Sequence, residues 1–168
     1  MKILIKAAKV IDPNSSFNGK TVDVYIEEGI IKNIGKNLSE TADKVIEQEN
    51  LHISPGLMDM HAEFCEPGLE YKEDLISGAN AAAKGGFTSV AIMPNTTPTR
   101  SSKTDIEFVK SKTQNHIVDV LPIGTLSHNL EGKDLAEMFD MKQAGAIAFS
   151  DNKKAIKSSG LMSRALLY

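Results

Sequence analysis

The sequence predicts an α/β protein in which a small β domain precedes the first half of a parallel (β/α)8 barrel. Three observations lead there. Apolar residues alternate at period two across the opening stretch, from Leu51 onward strand, Gly/Pro-containing loop and helix succeed one another, and four such strands are countable.

In the opening stretch Ile3 and Ile5, then Val22, Val24 and Ile26, alternate, with Asp12-Pro13-Asn14 and Glu28-Gly29 as breakers. Residues 30–34 and 44–46 add two short strands, which gives a partial small β domain over residues 1–51. Residues 52–168 then read as the half barrel. Its first strand is expected over about 52–63, followed by a helix over about 72–84 that Gly85-Gly86 stops. The second strand spans 88–93, and the helix after it begins near Ser102, whose hydroxyl suits a cap, with Asp105 at the positive helix end. The third strand spans 117–123, and a helix over about 133–144 should put Leu135, Met138 and Phe139 on one face. The fourth, 146–149, runs into Ser150-Asp151-Asn152, and a last helix begins near Ser159.

Four parallel strands leave two sheet edges uncovered, so the chain reads as truncated at its C-terminus, where it stops inside the apolar helix at Ala165-Leu166-Leu167-Tyr168. A complete four-stranded α/β domain is the alternative. Uncovered edges would favour self-association.

Composition narrows the function. The chain of 168 residues is 41% apolar and 24% charged, as in a globular protein, and its net charge of −3 offers no basic footprint for nucleic acid. The N-terminus lacks the apolar run of a signal peptide or membrane span, and Cys65 is the only cysteine, so no intrachain disulfide can form. A soluble, cytoplasmic protein acting on a small molecule is the expectation.

In parallel barrels the reacting groups sit at the C-terminal strand ends. Strand one ends in Asp59-Met60-His61-Ala62-Glu63-Phe64-Cys65, where period two puts Asp59, His61, Glu63 and Cys65 on one face. Imidazole, carboxylate and thiolate all ligate zinc. His61 and Glu63 are the candidate ligands, Asp59 is expected to hold the strand end by hydrogen bonds, and Cys65 and His128 are lesser candidates.

The segment from Pro55 to His61, followed by Glu66-Pro67-Gly68 and Tyr71-Lys72-Glu73-Asp74, resembles the first barrel strand of dihydroorotases of the amidohydrolase superfamily. Three further landmarks follow in order: residues 81–88, Met93-Pro94-Asn95-Thr96, and residues 145–151. The resemblance covers nearly the whole chain. It implies an amidohydrolase-type barrel beside a small β-sandwich domain, one or two zinc ions at the mouth, and hydrolysis of dihydroorotate or its closure from carbamoyl aspartate in pyrimidine biosynthesis.

The family pattern at strand one is His-x-His-x-Arg, and this chain has His61, Glu63 and Cys65. One ligand is kept, the other becomes a carboxylate, and the guanidinium that grips the substrate carboxylate is lost. Asn95 matches the family's other substrate-binding position. On strand four the ligand register falls on Asp151, completing the metal set His61, Glu63 and Asp151, or on Asn152, a poor bridge between cations. The family's remaining metal histidines and its catalytic aspartate would lie on later strands, beyond Tyr168. Three functions therefore stand side by side: a cyclic amide hydrolase with a degenerate metal motif, a non-catalytic homologue that partners aspartate carbamoyltransferase, and a hydantoinase-like enzyme of altered substrate range.

Overall fold

A computed structural model describes residues Met1–Tyr168, which divide into two compact units, Met1–Pro55 and Gly56–Tyr168.

The first unit is a five-stranded sheet. Strand β1 (Lys2–Val10) is its centre, flanked on one side by β2 (Thr21–Glu27) and β3 (Ile30–Gly35), both in antiparallel pairings, and on the other by β4 (Lys44–Ile46) and β5 (His52–Ile53), both parallel to β1. Glu28 and Gly29 join β2 to β3 with both φ angles positive, the two-residue turn whose twist matches that of paired strands. Val10, Val22 and Val24 are buried together, with Ile5, Ile26 and Ile34 packed against them, but burial does not simply alternate: Asp23 and Tyr25 are buried in β2 as well, and Leu4 is buried between Ile3 and Ile5 in β1. A bulge interrupts β1 between Ile5 and Ala8, and Ala7 there has a φ of 51°. The bulge turns the Ala7 amide onto the buried Asp23 carboxylate, which it reaches at 2.8 Å.

The second unit alternates strand and helix: β6 (Leu57–Ala62), α1 (Leu75–Lys84), β7 (Phe87–Ile92), α2 (Lys103–Thr113), β8 (Asp119–Gly124), a 3₁₀ turn (His128–Leu130), α3 (Met138–Gln143), β9 (Ala148–Phe149) and α4 (Ser159–Leu167). The four strands pair in parallel in the order β6-β7-β8-β9, the half-barrel arrangement predicted. Phe64, Leu75, Ala79, Val90, Ile92 and Val109 form its main core, and Ile106, Ala136, Met138 and Met141 a second. Gly78 exists for that packing, since a Cβ there would come within 2.5 Å of the Phe64 ring.

Several boundaries differ from the sequence expectation, each for an identifiable reason. Residues 52–63 do not form one strand: β5 pairs with β1 and β6 with β7, and Ser54-Pro55-Gly56 parts them, where Pro55 has no N–H to continue a ladder. Helix α1 starts at Leu75 rather than near residue 72, because the Asp74 carboxylate accepts from the amides of Ile76 and Ser77 and caps it there. Ser102 and Asp105 make the equivalent reciprocal cap on α2, as predicted. The third helix is much shorter than expected. Leu135 bridges to Ser127, and Ala136 donates to the Leu126 carbonyl, so residues 134–136 are paired as extended chain before α3 begins. Leu135 is consequently outside the helix, and Phe139 lies 56% exposed rather than on a buried face. Strand β8 begins at Asp119, with Ile117 left exposed, and β9 at Ala148.

Candidate functional site

The C-terminal ends of β6 and β9 bring His61, Glu63, Asn152 and Lys153 together. Strand β6 stops at Ala62, so Glu63 and Cys65 lie in the loop beyond it and not on the strand face that period two predicted. Asp59 does hold this end: its carboxylate accepts from the His61 amide at 2.9 Å. The exposed imidazole of His61 projects toward the β9 end, where its Nε2 lies 3.1 Å from Asn152 Oδ1. Asn152 has a φ of 53°, the left-handed conformation that asparagine tolerates better than most residues.

The hydrogen bonds assign the amide orientation and the tautomer. Asn152 Nδ2 donates to Glu63 Oε1 at 3.4 Å, and a carboxylate can only accept. The Asn152 carbonyl therefore faces His61, and the tautomer assigned to His61 on that network carries its hydrogen on Nε2. Lys153 Nζ approaches the same Glu63 oxygen at 2.9 Å. The hydrogen bond from Lys153, then that from Asn152, hold the Glu63 carboxyl below its usual range against the opposing effect of burial.

Asp151 is elsewhere. It is buried, and its carboxylate accepts from the amides of Leu126 and Ser127 at 2.9 Å each and from the Ser127 hydroxyl. Those donors fasten the loop after β8 to the end of β9. Of the three expected metal ligands, the structure brings His61 and Glu63 side by side and leaves Asp151 out of the group; Asn152 faces them instead. No three His, Cys, Asp or Glu side chains converge where they could hold a metal ion. Donor chemistry says the same, because Asn152 is neutral and Glu63 is already paired with a cation. The set does not fit zinc.

Asn95, just past β7, is half-buried, and its side chain makes no hydrogen bond within the chain. His128 sits exposed in the 3₁₀ turn, and Cys65 Sγ makes only a long contact, 3.5 Å, to the Glu63 carbonyl. Lys153 and Lys154 are both exposed, and Lys154 Nζ donates to the Leu130 carbonyl at 3.1 Å.

Sequence reasoning also missed two buried charges behind the site. Glu66, 5% exposed, accepts from the Leu75 amide at 3.0 Å and pairs with Lys112, so the Glu66-Pro67-Gly68 landmark ties the β6 loop to α1 and α2. Arg100 is fully buried and donates to the carbonyls of Glu66 and Met93; burial lowers its pKa to about 10, against the opposing pull of Asp105. Nothing in its sequence setting, Pro98-Thr99-Arg100-Ser101, marks Arg100 as interior.

The family described as dihydro-orotase-like matches residues 51–167. The chain belongs to that family. It is 45% identical over 171 aligned residues to a dihydroorotase of Trichlorobacter lovleyi and 44% identical over 170 to one of Geobacter sulfurreducens, in both cases along 100% of this chain and 40% of the relative. The chain thus spans about 40% of the length of these curated relatives. Among solved structures, L-hydantoinase from Arthrobacter aurescens superposes with a TM-score of 0.70 at 22% identity, over 88% of this chain and 32% of that one. A dihydroorotase crystal structure does so with 0.63 at 14%, over 88% and 41%. Such distant likenesses show the fold alone, and the fold of this dihydroorotase-like chain is that of the N-terminal part of an amidohydrolase barrel. No helix is long and apolar enough to cross a membrane.

Proposed function

We propose that the protein is a dihydroorotase-like member of the cyclic amide hydrolases, placed in cytoplasmic pyrimidine biosynthesis with dihydroorotate and carbamoyl aspartate as its ligand pair, and with a degenerate metal motif. The substrate class is supported by relatives named dihydroorotase that match along the whole chain. Asn95, with its amide free to bond, is the residue on this chain best fitted to contact the substrate.

Ring opening of an amide needs strong activation, which a metal supplies when bound by making a hydroxide available near neutral pH and polarising the carbonyl. The resemblance gives that role to zinc. Here the donors of His61, Glu63 and Asn152 are engaged with one another and with Lys153, and Asp151 is engaged with Leu126 and Ser127. This observation carries the reading: within that family the protein keeps the barrel mouth with its first-strand motif engaged internally, and a homologue without hydrolytic turnover is the role it favours. The second reading, a hydantoinase-like enzyme, is favoured by Cys65 alone, which suits a cyclic ureide without a carboxylate to grip.

The test is metal analysis of the purified full-length protein, together with its turnover of dihydroorotate and of hydantoin. No stoichiometric metal and no turnover of either is the expected result. Stoichiometric zinc with hydrolysis of dihydroorotate would sink the non-catalytic role, and hydrolysis of hydantoin alone would install the second reading.

A further inference from the structure

We infer that Lys153 supplies from within the chain the positive charge that a divalent cation supplies to a metal-dependent barrel mouth, so that the ends of β6 and β9 are joined by an ammonium and an amide. The inference rests on the degenerate-motif reading above and adds the agent that keeps the cation out.

Charge balance carries the argument. A ligand set of one imidazole and two carboxylates bears two negative charges and requires a dication. In this chain Glu63 keeps one negative charge, Lys153 cancels it at 2.9 Å, and Asn152 contributes none. Asn152 does what no carboxylate could at that position: it accepts from His61 with its Oδ1 and donates to Glu63 with its Nδ2. An aspartate there would face Glu63 as a second anion, and the pair would call for a cation between them. Asn152 and Lys153 are thus complementary changes, the first removing the demand for a metal and the second neutralising the carboxylate that remains. The nearest other carboxylate on the β9 loop, Asp151, is turned away and held by Leu126 and Ser127.

A dication entering this site would meet the Lys153 ammonium at the very oxygen it needs. Lys153 is 75% exposed, so its replacement leaves the fold intact.

The experiment titrates zinc chloride into full-length protein by calorimetry at neutral pH, comparing wild type, Asn152→Asp and the double variant Asn152→Asp/Lys153→Met, with melting temperatures as the control for folding. Wild type is expected to take up no zinc at this site. Asn152→Asp alone should bind weakly, and the double variant roughly tenfold more tightly, the size that removing one unit charge a few ångströms from a dication gives at a partly exposed site. Adding His61→Ala to the double variant should abolish that binding. Equal zinc affinity of the single and double variants would overturn the inference, as would no binding by the double variant or His61-dependent binding of one zinc by wild type. None of these readouts needs turnover, so dihydroorotate hydrolysis by wild type would count against the non-catalytic role while the zinc comparison still decided the part played by Lys153.

Discussion

Lys6 and Asp23 meet at 2.8 Å in the β unit, and Lys153 and Glu63 meet at 2.9 Å at the ends of β6 and β9. The distances are nearly equal and the surroundings are not. Asp23 is 8% exposed at its side chain and accepts from the amides of Ala7 and Leu38 as well as from Lys6. Glu63 is 36% exposed, its lysine 75%, and its second donor is the side chain of Asn152. The first pair is enclosed by backbone and holds the bulge of β1 in shape. The second is built of side chains alone at a strand end, where its members can change without disturbing the backbone.

If that contrast is right, Asp23→Asn should show the largest effect, a loss of about 2–3 kcal/mol in denaturant unfolding, because it strands a half-buried ammonium and an amide. Its pH dependence has a definite sign. Burial raises the Asp23 carboxyl, but Lys6 and the two amides outweigh it, so its folded pKa lies below the model-compound value of 3.8. A depressed carboxylate stabilises the fold above the unfolded pKa, and the contribution is lost as the pH falls below about 4 and through the folded value. Wild type should therefore lose stability over that window more than Asp23→Asn does, by acid titration of the unfolding midpoint.

Asp151→Asn is next, at about 1–2 kcal/mol, since an amide keeps one acceptor for the amides of Leu126 and Ser127 and turns a donor toward the Ser127 hydroxyl. Glu63→Gln should cost less than about 0.5 kcal/mol, because solvent screens the Lys153 pair. A larger cost than Asp23→Asn would break the comparison outright. Smallest of all, molar salt should erase the difference between Glu63→Gln and wild type while leaving that between Asp23→Asn and wild type largely in place. Sedimentation of the 168-residue chain sharpens a separate point: with Leu57, Met58 and Met60 exposed along β6, concentration-dependent self-association is expected.

Much of the fold was legible in the chain. Period-two alternation in Val22, Val24 and Ile26 marked real strands, and the caps at Ser102 and the Gly85-Gly86 stop bounded real helices, because each depends on neighbours in sequence. What failed depended on partners far away. Residues 134–136 look helical, yet the loop after β8 claims their backbone, and residues 52–63 look continuous until Pro55 parts two sheets. At the site, His61 and Glu63 were legible and their partners were not. A shift of one residue decides whether 151 or 152 faces the mouth, and that is set by the amides of Leu126 and Ser127, some two dozen positions upstream. The pairing of the exposed Lys153 with Glu63 was not legible because that carboxylate lies on another strand's loop.

The grip of Asp151 on the loop after β8 has a consequence for how such a site can change over time. One residue carries the shape of the loop and its neighbour carries the chemistry, and at a left-handed φ of 53° position 152 can exchange asparagine for aspartate at little cost to the scaffold, an exchange most other side chains would strain. A lineage can lose or regain a carboxylate there without passing through an unfolded intermediate, and a protein engineer inherits the same narrow choice between an amide and an acid.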